Sequence, residues 1–284
     1  MTQKRATPTI KRRRVGGQLR RWRGTVRSGD AAKLMGWDTT RLSRIERGTY
    51  RVSDEEVRTL CQRLGVDDPD GVEEVARAAE QPLGEGWWAA YAGRIGQNYL
   101  DFIELEAEAQ TLQVQHPVIV PGLLQSPGYV REMITRRPTA VSPEHAEMLV
   151  AIRLARQAVL STATRLHALV PESALHATFE SGPAIMRDQI RKLLDASEMA
   201  NVELQIIPLT THPTYGSSGA ITLLSYKHPW AKVASVDGPM GGSHTDDAAQ
   251  VSFLEREFAA IAEIALTVDK SRDLLNEYLE GPHK

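Results

Sequence analysis

Residues 35–48, MGWDTTRLSRIERG, set a glycine, an aspartate and a short charged helix in an order that restricts the local fold severely. Gly36 can take the positive φ that a tight turn demands. Asp38 can accept the free N–H groups at the start of a helix. Leu42 and Ile45, three residues apart, then face one way, which turns Thr39, Thr40, Arg41, Ser43, Arg44 and Arg47 outward. Upstream, Ala32 is small enough for two helices to touch, and Met35 and Trp37 complete a little core. Helix, tight turn and second helix form a helix-turn-helix. The alternative is a solvated surface helix with no nucleic-acid partner.

Charge favours the first reading. The chain of 284 residues has a net charge of −2, yet residues 1–51 carry 15 Lys/Arg against Asp30, Asp38 and Glu46, a net of +12. The remaining residues carry 19 bases and 33 acids, a net of −14. So concentrated a positive charge attracts a polyanion, and counterion release from DNA or RNA makes that attraction salt-dependent. Residues 1–14, MTQKRATPTIKRRR, are poor in large apolar side chains and are expected to be a disordered basic tail. In it Arg13 and Arg14 are placed near phosphates or in a minor groove, with simple solubilisation as the other use. An acidic second domain would repel DNA and confine contact to the head.

The outward face has the chemistry of base readout. Residues at the start of such a helix reach base edges, arginine pairs with guanine, and threonine offers a hydroxyl and a methyl to thymine. Here GDAAKLMGWDTTRLSRIERG, with the upstream LRRWR, resembles the XRE (phage-repressor-like) family of regulators. That resemblance implies a lambda-repressor-like all-α domain with Thr39, Thr40 and Arg44 at base-reading positions. It also implies that Glu46 pairs with a first-helix arginine, Arg23 or Arg21, as a structural brace. Two departures stand out. Ala31 replaces a usual leucine, and RSG (27–29) stands where a Thr/Ser-Gln pair contacts phosphate, which leaves Arg27 and Ser28 in that role. The link to the second helix is about two residues shorter than the family pattern.

Along the chain, a first helix from about Gln18 is read from Leu19, Trp22 and Val26. Helices follow over about 29–35 and 38–47. Ser53 with Glu56 forms a capping box for a fourth helix that buries Val57, Leu60 and Leu64 and stops at Gly65. A fifth runs over 72–79, and the breaker-rich QPLGEGWW places a domain boundary near 81–86. The expected domains are therefore 15–82, helical, and 83–284, α+β. In the latter, strands are read at 111–120 (bent or paired), 165–170, 202–207, 221–226 and 233–237. Helices are read near Tyr129, from Ser142-Pro143-Glu144 to about Leu160, and over 183–196, 246–266 and 271–279.

Residues 85–278 also carry an ordered series: GWWAAY, LDFIELEAEAQTLQVQHPVIVPGLLQSPGYVREMI, RLARQ, PESAL, GPAIMRDQIRKLLDASEMANVELQIIPL and VDGP. It resembles the C-terminal domain of WhiJ-like actinomycete transcriptional regulators, with an antitoxin-like organisation. The resemblance implies a domain that binds a small protein encoded alongside or a small-molecule signal.

An enzyme tethered to DNA is the rival class. Eight histidines show no HxxxH or HExxH spacing, and one cysteine affords no zinc cluster. His167 reads as a structural histidine in a strand. Ser243, His244 and Asp246 superficially resemble a nucleophile set, but neighbours in sequence rarely converge as a triad does. That loop reads as a glycine-rich turn in which Thr245 caps the next helix. HPTYGSSGA is a loop before it is a pocket wall, and Trp87, Trp88 and Tyr91 either gate a ligand or seal a domain interface. The stripe Val251, Leu254, Phe258, Ile261 and Ala265 is core or a dimer seam. No apolar run approaches the ~20 residues of a membrane span, no secretory signal is read, and the lone Cys61 fits a reducing cytosol. The expectation is a cytoplasmic homodimer that binds double-stranded DNA, without metal, cofactor or catalytic residue. The second rival is an antitoxin-like protein that sequesters its partner and binds DNA to regulate itself.

Overall fold

Thr9 opens the first helix, its hydroxyl accepting the Arg12 N–H at 3.5 Å. The computed structural model describes residues 9–80, 86–136, 142–212, 219–237 and 242–280. Helix α1 spans Ile10–Arg23, so the basic run 11–14 is helical rather than tail; residues 1–8 lie outside the described residues. The reason is burial. Ile10, Arg14 and Gln18 recur every four residues beside Val15 and Leu19, a stripe that the apolar count alone does not reveal. Gly24, at φ 55°, ends the helix, and Val26 is exposed beyond it.

Four more helices follow: α2 (Ser28–Leu34), α3 (Thr39–Glu46), α4 (Asp54–Leu64) and α5 (Pro69–Glu80). Val15, Leu19, Leu42, Ile45, Val57, Leu60 and Val75 form their shared core. The capping box at α4 is present: Glu56 N–H donates to Ser53 Oγ and Ser53 N–H to Glu56 Oε2, each at 3.1 Å. Gly65, in the left-handed conformation, closes the same helix. Most of the segment expected to hold the domain boundary, residues 81–85, lies outside the described residues.

The chain divides into two compact units. One runs to Leu105 and includes Tyr226–Ala231; the other comprises Glu106–Ser225 and Lys232–Lys284. The division falls not at residue 83 but within helix α6 (Gln97–Glu108). A 3₁₀ turn, Trp87–Tyr91, precedes α6, and the Trp87 ring stands edge-on to Trp88 and Tyr91.

The second unit is built on a mixed sheet of six strands in the order β3-β2-β1-β4-β5-β6. These are β1 (Thr111–Gln115), β2 (Arg165–Pro171), β3 (Val202–Ile207), β4 (Ala220–Ser225), β5 (Val233–Asp237) and β6 (Ser243–Thr245). β1, β2 and β3 are parallel, Leu112 opposite Leu166 and Leu166 opposite Val202; β4, β5 and β6 join antiparallel. The parallel strands need crossovers. Helices α7 (Pro127–Thr135) and α8 (Pro143–Arg156) lie between β1 and β2, and α9 (Ala184–Ser197) lies between β2 and β3. Ser142 caps α8 by accepting the His145 N–H at 3.2 Å.

β1 stops at Gln115, short of the expected Val120. Pro117 has no N–H to continue a ladder, and the His116 Nδ1 accepts the Val118 and Ile119 N–H groups at 3.1 Å, turning the chain. Burial lowers the His116 pKa below its ordinary value. Helix α10 (Ala248–Ile264) covers the sheet: Val251, Leu254, Phe258 and Ile261 pack on Leu169, Ile207, Ile221, Leu223 and Ala234. The stripe is therefore core and not a dimer seam. Burying each such side chain is worth ~1.5–3 kcal/mol relative to leaving it exposed. The α10 cap is Asp247, whose carboxylate accepts the Gln250 N–H at 3.0 Å; Thr245 Oγ1 instead accepts the Asp247 N–H. The β3 edge is closed where α10 leads into α11 (Val268–Glu280): Ile206 N–H donates to Ser271 Oγ and Ile206 O accepts from Leu266. His167 pairs with Gln205 and stands edge-on to Phe258, a structural histidine.

Candidate nucleic-acid interface

The turn between α2 and α3 is held as a tight unit. Gly36 has φ +67°, a conformation L side chains avoid, and the Trp37 N–H returns to the Ala32 carbonyl at 2.9 Å. Asp38 caps α3 by accepting the Arg41 N–H at 2.8 Å. Leu42 and Ile45 are buried. The side chains of Thr39 and Thr40 are exposed at the first turn, and Arg47 is exposed at the end, its Nε donating to the Ser43 carbonyl. Ser43 and Arg44 are half-buried. The first turn of α2 lies beside this face: a Cβ on Gly29 would stand 3.6 Å from Thr39 Oγ1. Arg27, exposed at the α2 N-cap, belongs to the same neighbourhood.

Four expected contact residues are placed differently. Arg41 is turned back on its own domain, hydrogen-bonded to Glu56 and lying 4.4 Å from the Trp37 ring centroid and 5.5 Å from that of Tyr50. A guanidinium stacked on rings and tied to a carboxylate is a brace rather than a base reader. The Ser28 hydroxyl is buried, so it cannot meet a phosphate. Arg14 is 7% exposed and stacks on Tyr226 at 3.9 Å and Trp230 at 4.9 Å. Arg13 donates to the buried Asp101 at 2.5 Å. The last two corrections share one cause: the tail on which these arginines were placed is helix α1.

Glu46 accepts from Arg23 Nε at 2.5 Å and from Arg23 Nη2 at 3.1 Å, a bidentate pair that raises the Arg23 pKa. Arg21 donates to Gln18. Seating α3 on α1 depends on two glycines that the sequence motif did not single out. A Cβ on Gly16 would strike the Ile45 carbonyl oxygen and come within 2.8 Å of the Glu46 backbone. One on Gly48 would lie 2.7 Å from Arg13 N. Burial first, and the charge of Arg51 second, lower the Arg12 pKa.

Elsewhere, burial pushes the Cys61 thiol up to about 12, which leaves it inert as a nucleophile. Among the described residues no three His, Cys, Asp or Glu side chains gather as a metal site, and no helix is long and apolar enough to cross a membrane.

Residues 14–75 match a helix-turn-helix domain family, which supports a DNA-binding regulator. No curated protein and no solved structure matches the chain. Residues 99–277, more than half of the chain, match the family described as a domain of unknown function (DUF5753), and the protein belongs to that family.

Proposed function

We propose that the protein is a cytoplasmic, sequence-specific transcriptional regulator that binds double-stranded DNA as a homodimer. The observation that carries this reading is the outer face of α3. Thr39 and Thr40 are exposed at its start, Arg44 lies one turn on, and Arg27 stands at the adjoining N-terminus of α2, all on a domain matched as helix-turn-helix. Helix N-termini and arginines suit phosphate, and the first turn of the second helix suits base edges. Two-fold symmetry would set two such helices one turn of DNA apart.

The sheet unit, in this proposal, receives a small partner protein or a small-molecule signal and performs no catalysis. In that unit the Tyr278 phenol, pushed up to about 12 by burial and the Glu172 carboxylate, stays protonated at neutral pH and is no nucleophile there. Selection of duplexes from a randomised pool tests the reading. The wild-type chain enriches a palindromic site whose binding weakens steeply with salt. Arg44→Ala is expected to lose ~1–3 kcal/mol and to relax preference at one base pair. A footprint with unchanged preference removes Arg44 from the readers, and a pool left unenriched removes the reading.

A further inference from the structure

Six residues that come some 150 positions after α5 in the chain, Tyr226–Ala231, belong to the helical unit. Trp230 packs against its hydrophobic core, and its indole N–H donates to Glu74 at 3.4 Å. Lys227 pairs with the same glutamate at 3.4 Å, and His228 bonds Asp68 at 2.8 Å, so a side chain just before α5 and one in its middle are held. The Tyr226 hydroxyl donates to the Leu105 carbonyl at 3.2 Å. Both rings, Tyr226 and Trp230, stack on Arg14 of α1.

Where on α1 this grip falls decides its importance. Arg14 lies between the two places at which α1 receives the end of α3: Gly48 against Arg12 and Arg13, and Gly16 against Ile45 and Glu46. The next residue back, Arg13, is fastened to Asp101, which also accepts from Gln97 at 2.8 Å. One turn of α1 therefore carries the recognition helix on one side and is gripped by Tyr226 and Trp230 on another. Backbone-to-backbone packing leaves little slack, so a shift of this turn moves α3 with it.

We propose that Tyr226–Ala231 is a positioning segment for DNA recognition, which holds α1, and through it α3, in the frame that meets the duplex. The proposal rests on the DNA-binding reading above. It makes the recognition unit discontinuous: its last component is read from the chain well over a hundred residues after the helix-turn-helix.

The test uses the full chain and the duplex that the wild type enriches from a randomised pool. Trp230→Ala is expected to speed amide exchange in α1 and at Ile45 and Gly48. It is also expected to weaken duplex binding roughly tenfold, the equivalent of ~1.4 kcal/mol, and to shrink the affinity ratio between the enriched and a scrambled duplex. Trp230→Phe, which keeps a ring, is expected to restore most of that ratio. The ratio separates positioning from mere support, because a partly unfolded population lowers both affinities alike. Should Trp230→Ala fail to fold, Arg14→Lys keeps the charge, removes the planar stack and is expected to shift the same readouts. An unchanged ratio and unchanged exchange at Ile45 and Gly48 overturn the proposal. If the wild type enriches no duplex, the DNA reading fails, while the exchange measurement still decides whether the segment holds α3.

Discussion

Arg23–Glu46 and Arg156–Glu106 are both bidentate arginine–carboxylate pairs shielded from water, yet they sit in differently built units. Around Arg23 the helical unit is laced by further polar ties: Arg41 with Glu56, Arg58 with Asp54 and Glu73, Arg13 with Asp101, and Arg14 on its rings. Around the sheet the fastening is aliphatic, with α10 laid over Leu169, Ile207, Ile221 and Leu223. A small helical domain has too little interior to rely on apolar burial alone. It fixes its helices with directional contacts, which also fix the angle at which α3 stands. The sheet unit has area enough for an oily core, and among the described ion pairs there Arg156–Glu106 is the buried one, while Arg131–Glu147, Arg136–Glu180 and Arg191–Asp188 are exposed.

The largest expected effect tests that burial. In Glu106→Ala the Arg156 guanidinium, 8% exposed, loses its carboxylate, and removal of one partner of a buried pair costs ~3–5 kcal/mol. Denaturant unfolding of the sheet unit, followed by amide exchange in β1 and β2, measures it. Glu106→Gln, which keeps the shape, is expected to fall between. If Glu106→Ala unfolds no more easily than the wild type, the two pairs do not differ in the way their surroundings suggest.

Next in size is Gly16→Ala in the helical unit. Its Cβ meets the carbonyl of Ile45, backbone that cannot rotate away, so α1 and α3 must part. Overpacking of this kind costs ~1–3 kcal/mol. Unlike a core substitution in the sheet, it is expected to weaken duplex binding more than it lowers the unfolding midpoint. Equal losses in the two measurements would falsify the idea that this contact sets the α3 angle.

Such contrasts also explain what could be read from the chain. α3, α4 and their caps were legible because each depends on neighbours a few residues apart: Asp38 with Arg41, Ser53 with Glu56, Gly65 after Leu64. β3 and β5 were legible to the residue, since turn-forming residues bound them, Asn201 and Pro208 around β3 and Gly238 after β5. Helix α6 was not read, because Asp101, Glu104 and Glu106 occupy buried positions and erase the apolar period. The start of α1 was missed for the same reason, Arg14 and Gln18 holding buried places. On α3, the motif placed Thr39 and Thr40 on the exposed first turn, where they lie, but the fates of Arg41, Arg13 and Arg14 depended on Glu56, Asp101, Tyr226 and Trp230. Only the last three of those lie far off in sequence, yet no local rule pairs any of the four with its arginine. Long-range polar partners have no periodicity to betray them.

A smaller effect probes the local rules. Ser53→Ala removes the acceptor for the Glu56 N–H and half of the capping box, at ~1 kcal/mol. The helical unit should show it in α4 exchange, with the sheet unit unchanged. Ser142→Ala at α8 is its counterpart in the sheet unit, where the serine accepts from His145 without a reciprocal bond. A loss at Ser142 as large as at Ser53 would mean that the reciprocal bond adds nothing.

The smallest expected effect concerns the exposed lacing itself. Hydrogen bonds from Arg58 hold the Asp54 and Glu73 carboxyls below their ordinary values. A carboxylate depressed in the folded state stabilises it at all pH above the unfolded value, near ~4, and that contribution fades as pH falls through the folded value. Protonation of Asp54 and Glu73 should therefore loosen α4 only in acid. Arg58→Ala abolishes the depression at both carboxylates, so its α4 amides should exchange slightly faster than the wild type's at neutral pH. Below the ordinary carboxylate range the two rates should draw together. Exposure and salt screening keep the difference small. The gap should also narrow in concentrated salt, as surface pairs do and a buried pair such as Arg156–Glu106 does not. A gap that persists unchanged in both acid and salt would show that Arg58 stabilises α4 through its aliphatic stem, and the helical unit would then be less dependent on charge than its lattice of ion pairs implies.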